Sequence, residues 1–162
     1  METQMEHFAW TRKNILSLLR STTPEEAFRI PARFNNNLVW NAGHVIYVQQ
    51  ILVYHLAGLP TFLPDGFEQQ YASGTKPSPS PDKKGTVEEL TGLLERGVEQ
   101  TLADYREGKF IQYRSLRANY DTVPYHLTDW EQAFQYNNIH EARHYGFMLG
   151  IKQGLAETEP AA

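Results

Sequence analysis

Apolar residues recur along this chain at helical rather than strand spacing. Between Glu2 and Arg20, Phe8, Ile15, Leu16, Leu18 and Leu19 form one stripe. Thr23, Pro24 and Glu26 then stand in the order of an N-cap, a first-turn proline and a capping-box carboxylate, which predicts a short extra turn. The run Asn35-Asn36-Asn37 offers N-caps for a second long helix, LVWNAGHVIYVQQILVYHLAG, stopping at Gly58 ahead of Pro60. Leu38, Val45, Val48, Ile51, Leu52 and Leu56 make it the most apolar helix, which places it centrally. Thr86-Val87-Glu88-Glu89 reads as the capping box of a third helix, with Leu90, Leu93, Leu94, Val98, Leu102 and Tyr105 inward and its end near Gly108. A fourth opens at Thr128-Asp129-Trp130-Glu131 and runs to Gly154. No stretch reads as a convincing strand.

The connections are long. Leu59 to Gly85 carries Pro60, Pro64, Pro77, Pro79 and Pro81. Its part from Ser73 to Lys84 reads as flexible or polyproline-like, whereas the aromatics between Phe62 and Tyr71 are expected to pack. Connections of this length are often functional, and a lid over a site is one reading. The segment is also long enough to cross the molecule, so the helices it joins need not be antiparallel. The predicted fold is all-α: a four-helix bundle with long connections between helices 2–3 and 3–4. A single domain over residues 1–155 is expected, with 156–162 a frayed tail.

Composition narrows the chemistry. Cysteine is absent from the 162 residues, which excludes disulfides, thiolate metal ligands and a cysteine nucleophile. Any thiol must come with a substrate or cofactor. A net charge of −4 disfavours binding to a phosphate backbone. The densest basic stretch, Arg106, Lys109, Arg114 and Arg117, is interrupted by acidic residues and reads as a solvated loop, so no nucleic-acid partner is expected. No apolar run has the length of a membrane span, and METQMEHFAWTRKN places charges where a signal peptide needs its apolar core. A cytoplasmic protein is the expectation.

Histidines supply the candidate chemistry. His140 and His144 stand four apart in HEARH, so both leave one helix face, shared with Tyr136, Phe147, Met148 and Ile151. Two imidazoles turned into an apolar core need partners for their nitrogens. A divalent metal completed by His44 from the second helix is one solution; a hydrogen-bonded histidine pair on a half-buried face is the other. His55 lies eleven residues after His44, roughly 16 Å further along the helix, too far to share an ion. His126 reads as a surface residue before the fourth helix, and His7 as an exposed one near the amino terminus. Asn41 and Asn137 each precede a candidate ligand by three residues and can orient ligands or touch substrate; Tyr47 and Tyr136 are similar candidates. Glu141 points about 100° away from His140, which suits a surface or inter-helix salt bridge, with a catalytic base as the sharper alternative.

NNLVWNAGHVIYVQQILVYHLAG and AFQYNNIHEARHYGFMLGIKQG, taken in order, resemble the DinB/YfiT-like superfamily of metalloenzymes over nearly the whole chain. The second segment matches its closing H-E-x-x-H-x-G signature at His140, Glu141, His144 and Gly146. This resemblance implies a four-helix bundle whose three histidines, here His44, His140 and His144, bind nickel, zinc or iron. It also implies low-molecular-weight thiols, such as mycothiol or bacillithiol, as cosubstrates of some members, and pairing into homodimers. The metalloprotease reading of H-E-x-x-H ranks lower, because no histidine follows His144 and Glu157 and Glu159 lie in the expected tail.

Three neutral imidazoles leave a dication's charge uncompensated and favour an anionic further ligand. Water there loses a proton more easily, and a substrate thiol is stabilised as thiolate. The expected function is therefore a metal-dependent enzyme acting on a small molecule, by thiol-dependent S-transferase-like or hydrolase-like chemistry. The alternative is a non-catalytic metal-binding bundle acting as a structural or dimerising protein, with aromatics such as Phe62, Phe67 and Tyr71 forming the paired face.

Overall fold

Helix α1 (Glu2–Arg20) turns Phe8, Ile15, Leu16 and Leu19 inward, as their spacing predicts, leaves Leu18 half-buried, and also buries Met5 and Arg12. The computed structural model describes residues 1–120 and 123–157. After α1 comes α2 (Pro24–Phe28), where Thr23 Oγ1 accepts from Glu26 N at 3.2 Å and Glu26 Oε2 from Thr23 N at 2.9 Å, the predicted capping box.

Helix α3 (Leu38–Gln49) starts at Asn37, whose Oδ1 accepts from Trp40 N at 2.8 Å. It does not continue as a regular α-helix to Gly58. It widens into a π-turn over Gln50–Tyr54, tightens into a 3₁₀ turn over His55–Ala57, and ends at Gly58 with φ 73°. Polar burial accounts for the departure. Gln49 and Gln50 are both fully buried; Gln49 Nε2 donates to Thr101 Oγ1 at 3.1 Å, and Gln50 Oε1 accepts from Phe62 N at 3.1 Å. The wider turn accommodates both amides and brings the Tyr54 hydroxyl 2.9 Å from Asp104 Oδ2.

The first long connection contains α4 (Phe67–Tyr71), which buries Phe67 and Tyr71. Helix α5 (Lys83–Arg106) begins earlier than the Thr86 box predicts, because Asp82 Oδ1 caps Gly85 N at 2.8 Å while the Thr86 hydroxyl donates to the Asp82 carbonyl. Helix α6 (Trp130–Glu157) has Asp129 Oδ1 on Gln132 N at 2.9 Å and continues past Gly154. The expected tail beyond residue 157 lies outside the described residues.

Two strands also form, against expectation. β1 (Leu116–Tyr120) and β2 (Val123–Leu127) pair antiparallel, with Leu116 opposite Leu127. Five residues are too few for a clear alternation, and Pro124 argues against a central strand. In a two-stranded ribbon every strand is an edge, where proline is tolerated.

The chain is mostly helical, and α1 and α3 each pack against both α5 and α6. Gln4 with Asn138 and Arg12 with Glu141 show that α1 and α6 run parallel. Gln49 with Thr101 and Tyr54 with Asp104 show the same of α3 and α5. Asn41 with His144 and Val53 with Trp130 make α3 and α6 antiparallel. The connection after Gly58 therefore travels the length of the molecule, as its size suggested. Two clusters make the core, one around Leu38, Ile46, Phe67, Tyr71, Met148 and Ile151, the other around Phe8, Val53, Leu127 and Phe134.

Candidate metal centre

Antiparallel packing of α3 on α6 brings His44, His140 and His144 together, with one ring nitrogen of each within 4.8 Å of the others. Ring centroids are 5.2 Å apart for His44 and His140, 4.8 Å for His44 and His144, and 4.5 Å for His140 and His144. His44 and His140 are buried and His144 is half-buried, so the cluster approaches the surface on the His144 side. Trp40 stacks on His44 at 4.7 Å and 10°, and its indole N–H donates to Thr75 Oγ1 at 2.9 Å. That wall is apolar and fixed.

Two of the three rings are oriented from behind. His44 Nδ1 lies 2.7 Å from the Tyr71 carbonyl, which can only accept, so Nδ1 carries the proton and Nε2 is left with its lone pair. His144 Nδ1 lies 2.8 Å from Asn41 Oδ1. Asn41 Nδ2 donates to the Asn37 carbonyl at 2.8 Å, which fixes the amide's orientation and makes His144 Nδ1 the donor too. His140 differs: both its nitrogens are buried without a hydrogen-bond partner. Such a group is costly unless something satisfies it.

Burial holds all three rings neutral. It lowers the pKa of His44 against the opposing Tyr71 bond. It pushes His140 down to about 2, with the charges of His144, His44, Arg143 and Arg12 adding to the effect. His144 falls to about 3 from burial, His44 and Arg143. Neutral imidazoles with free lone pairs are the form that binds a metal ion. The donor set therefore fits a divalent ion, with one unpartnered nitrogen of His140 available as the third ligand atom.

The sequence profile of the DinB superfamily matches residues 7–148. The chain belongs to the DinB superfamily. Among solved structures, this DinB chain is similar to one titled as the crystal structure of a conserved protein of locus from Enterococcus faecalis. The TM-score is 0.64 at 13% identity, covering 97% of each chain, a likeness of fold. No curated protein matches.

The remaining candidates of this DinB chain fall in different places. Asn41 touches His144, across the interface, rather than His44 on its own helix. Asn137 is buried, but its Nδ2 donates to Glu141 Oε1 at 2.8 Å. Glu141 is not on the surface: it is fully buried in an inter-helix ion pair with Arg12. Tyr136 is half-buried and packs against the second core cluster. The Tyr47 hydroxyl donates to Glu68 Oε1 at 3.0 Å, and burial first, then Glu68, raises its pKa to about 12. His55 pairs with Arg114 Nη2 at 2.9 Å, and His7 and His126 are exposed.

The aromatics between Phe62 and Tyr71 pack, as expected, which overturns their alternative role as a paired face. Phe67 and Tyr71 are core residues, and half-buried Phe62 lies under the Arg96 guanidinium at 4.5 Å, so these aromatics do not form an exposed pairing face. Likewise α4 is packed in place and supports His44 through a backbone carbonyl, which leaves a lid reading to the residues after it. A carbonyl has no side-chain signature, so sequence reasoning missed Tyr71. Arg12 was missed as well, although its place between Phe8 and Ile15 in the apolar stripe was a usable signal.

Proposed function

We propose that this DinB-superfamily chain is a metal-dependent enzyme acting on a small molecule, with His44, His140 and His144 holding zinc, nickel or iron. The observation that carries this reading is His140, whose two buried ring nitrogens have no partner between two oriented neighbours. Bound there, a divalent ion supplies Lewis acidity, which favours a substrate thiolate or an acidified water. The chain's own residues set the donors. The Tyr71 carbonyl and Asn41 hold Nδ1 of His44 and His144 and leave Nε2 of each as the free donor atom. Trp40 covers one face of the His44 ring.

Within this reading the four long helices act as the DinB four-helix bundle, and the chemistry is thiol-dependent S-transfer or hydrolysis. With no cysteine in the chain, a transferred thiol is a low-molecular-weight cosubstrate. Among the described residues no helix is long and apolar enough to cross a membrane. We place the protein in the cytoplasm and expect a homodimer, which exposed Trp10 on α1 and Ile139 and Leu149 on α6 support.

Metal content of tag-free protein by mass spectrometry, beside His140→Ala and His44→Ala, tests the site. Near-stoichiometric metal in the parent and loss in both variants is the expected result; no metal after addition of zinc, nickel and iron overturns it. Burial of two of the three rings favours a second reading, a non-catalytic bundle stabilised by its ion. Turnover of thiol or amide substrates by the loaded protein separates the two.

A further inference from the structure

Arg12 stands where all four long helices meet. It belongs to α1, and its Nε and Nη2 donate to Glu141 of α6 at 2.6 and 2.7 Å. Nη2 also reaches the Val45 carbonyl of α3 at 3.3 Å. On the α5 side a Cβ at Gly97 would stand 3.5 Å from Nη1, so a residue without a side chain faces the guanidinium. Both members of the pair have no exposed side-chain surface.

A guanidinium keeps its charge throughout the range in which proteins fold. Arg12 is thus a fixed buried cation beside the centre: Nη2 reaches the carbonyl of Val45, the chain neighbour of His44, and its carboxylate partner Glu141 is the chain neighbour of His140. Three neutral imidazoles bring no charge of their own to set against a dication. A bare cation behind them would oppose metal binding, strongly so where water is excluded. The Glu141 carboxylate, bidentate on Arg12, cancels that opposition.

We propose that Glu141 is a positioning and charge-compensating residue of the metal centre: it neutralises Arg12, and so permits neutral imidazoles to hold a dication, without itself touching the ion. The inference rests on the metal reading above. It differs from a purely structural role, in which the pair does no more than fix α6 against α1. In that case the unpaired buried charge left by a single substitution shows as lost stability and helicity, and the metal affinity of the folded chain does not follow the charge. If charge decides, removing both restores the site.

The test is metal affinity of the apo full chain, with Zn²⁺ and Ni²⁺ titrated in competition with a chromophoric chelator and helicity followed by circular dichroism. Glu141→Gln, which keeps an acceptor for Asn137, is expected to weaken both metals by about tenfold or more at unchanged helicity. Arg12→Met/Glu141→Gln is expected to return to within about threefold of the parent. Parent-like affinity in Glu141→Gln, or a double variant no better than the single, overturns the inference. Should Glu141→Gln fail to fold, Arg12→Met decides: affinity at or above the parent supports the inference, and a loss of about tenfold or more refutes it. A parent that binds neither metal overturns the metal reading too, a result distinct from a metal-binding parent whose variants do not follow.

Discussion

Asn41 Oδ1 lies 2.8 Å from His144 Nδ1, across the interface between α3 and α6. Its amide nitrogen is held by the carbonyl of Asn37, the residue whose side chain caps α3. The start of one helix thereby sets the tautomer of a histidine on another. Outer partners of this kind typically account for about 10–100-fold in metal affinity. Asn41→Ala should lose affinity in that range, in chelator competition, with helicity unchanged. An unaltered affinity would remove Asn41 from the centre.

Gly43 supports His44 through space rather than through a bond. A Cβ there would fall 2.2 Å from Tyr71 Cδ1 and 2.5 Å from its Cγ, closer than real contacts come. Glycine lets the Tyr71 ring lie against α3, and that contact delivers the Tyr71 carbonyl to His44. Gly43→Ala should displace α4, cost about 1–3 kcal/mol by overpacking, and weaken metal binding. Urea unfolding and chelator competition measure the two effects, and both should move together.

The readable parts of this protein were those that side-chain type encodes. Thr23 with Glu26 and the stop at Gly58 follow from local rules, and the H-x-x-x-H spacing puts His140 and His144 on one face. That His44 joins them rests on the antiparallel packing of α3 on α6, a long-range fact that family resemblance supplied and periodicity could not. What escaped has no such signature. The Tyr71 carbonyl is backbone, the π-turn answers to the partners of Gln49 and Gln50, and the β1–β2 ribbon is too short for a period to show. Glu141 was legible as a salt bridge, but its partner Arg12 lies 129 positions away.

Asp104 makes stability depend on acid. Burial alone would raise its pKa, but bonds from Lys109, Gln100 and Tyr54 outweigh this and lower it below the ordinary value of 3.8. The folded chain therefore holds this carboxylate ionised at pH values where the unfolded chain protonates it. Its contribution is complete above about pH 3.8 and is lost as pH falls through the lower folded value. Asp104→Asn should cost about 1–3 kcal/mol at pH 6, from buried bonds left imperfect. The gap between parent and variant in urea midpoint should narrow below pH 3.8. A gap independent of pH would show that Asp104 gains nothing from its charge.

Gly92 in α5 and Gly146 in α6 pose one question with two answers. Each sits inside a helix, and a Cβ at either position would meet nothing within 4 Å. Glycine in a helix interior costs roughly 0.5–1 kcal/mol relative to alanine, so both alanine variants should gain about that much. For a chain of this size the gain appears as about 2–4 °C in Tm per kcal/mol. The two should part in self-association. Gly146 lies on α6 between exposed Ile139 and Leu149, the face we assign to pairing, whereas Gly92 lies on α5. Sedimentation should show Gly92→Ala pairing like the parent and Gly146→Ala pairing more weakly, because an added methyl holds an opposing helix away. Equal pairing in both would move the dimer contact off this face of α6.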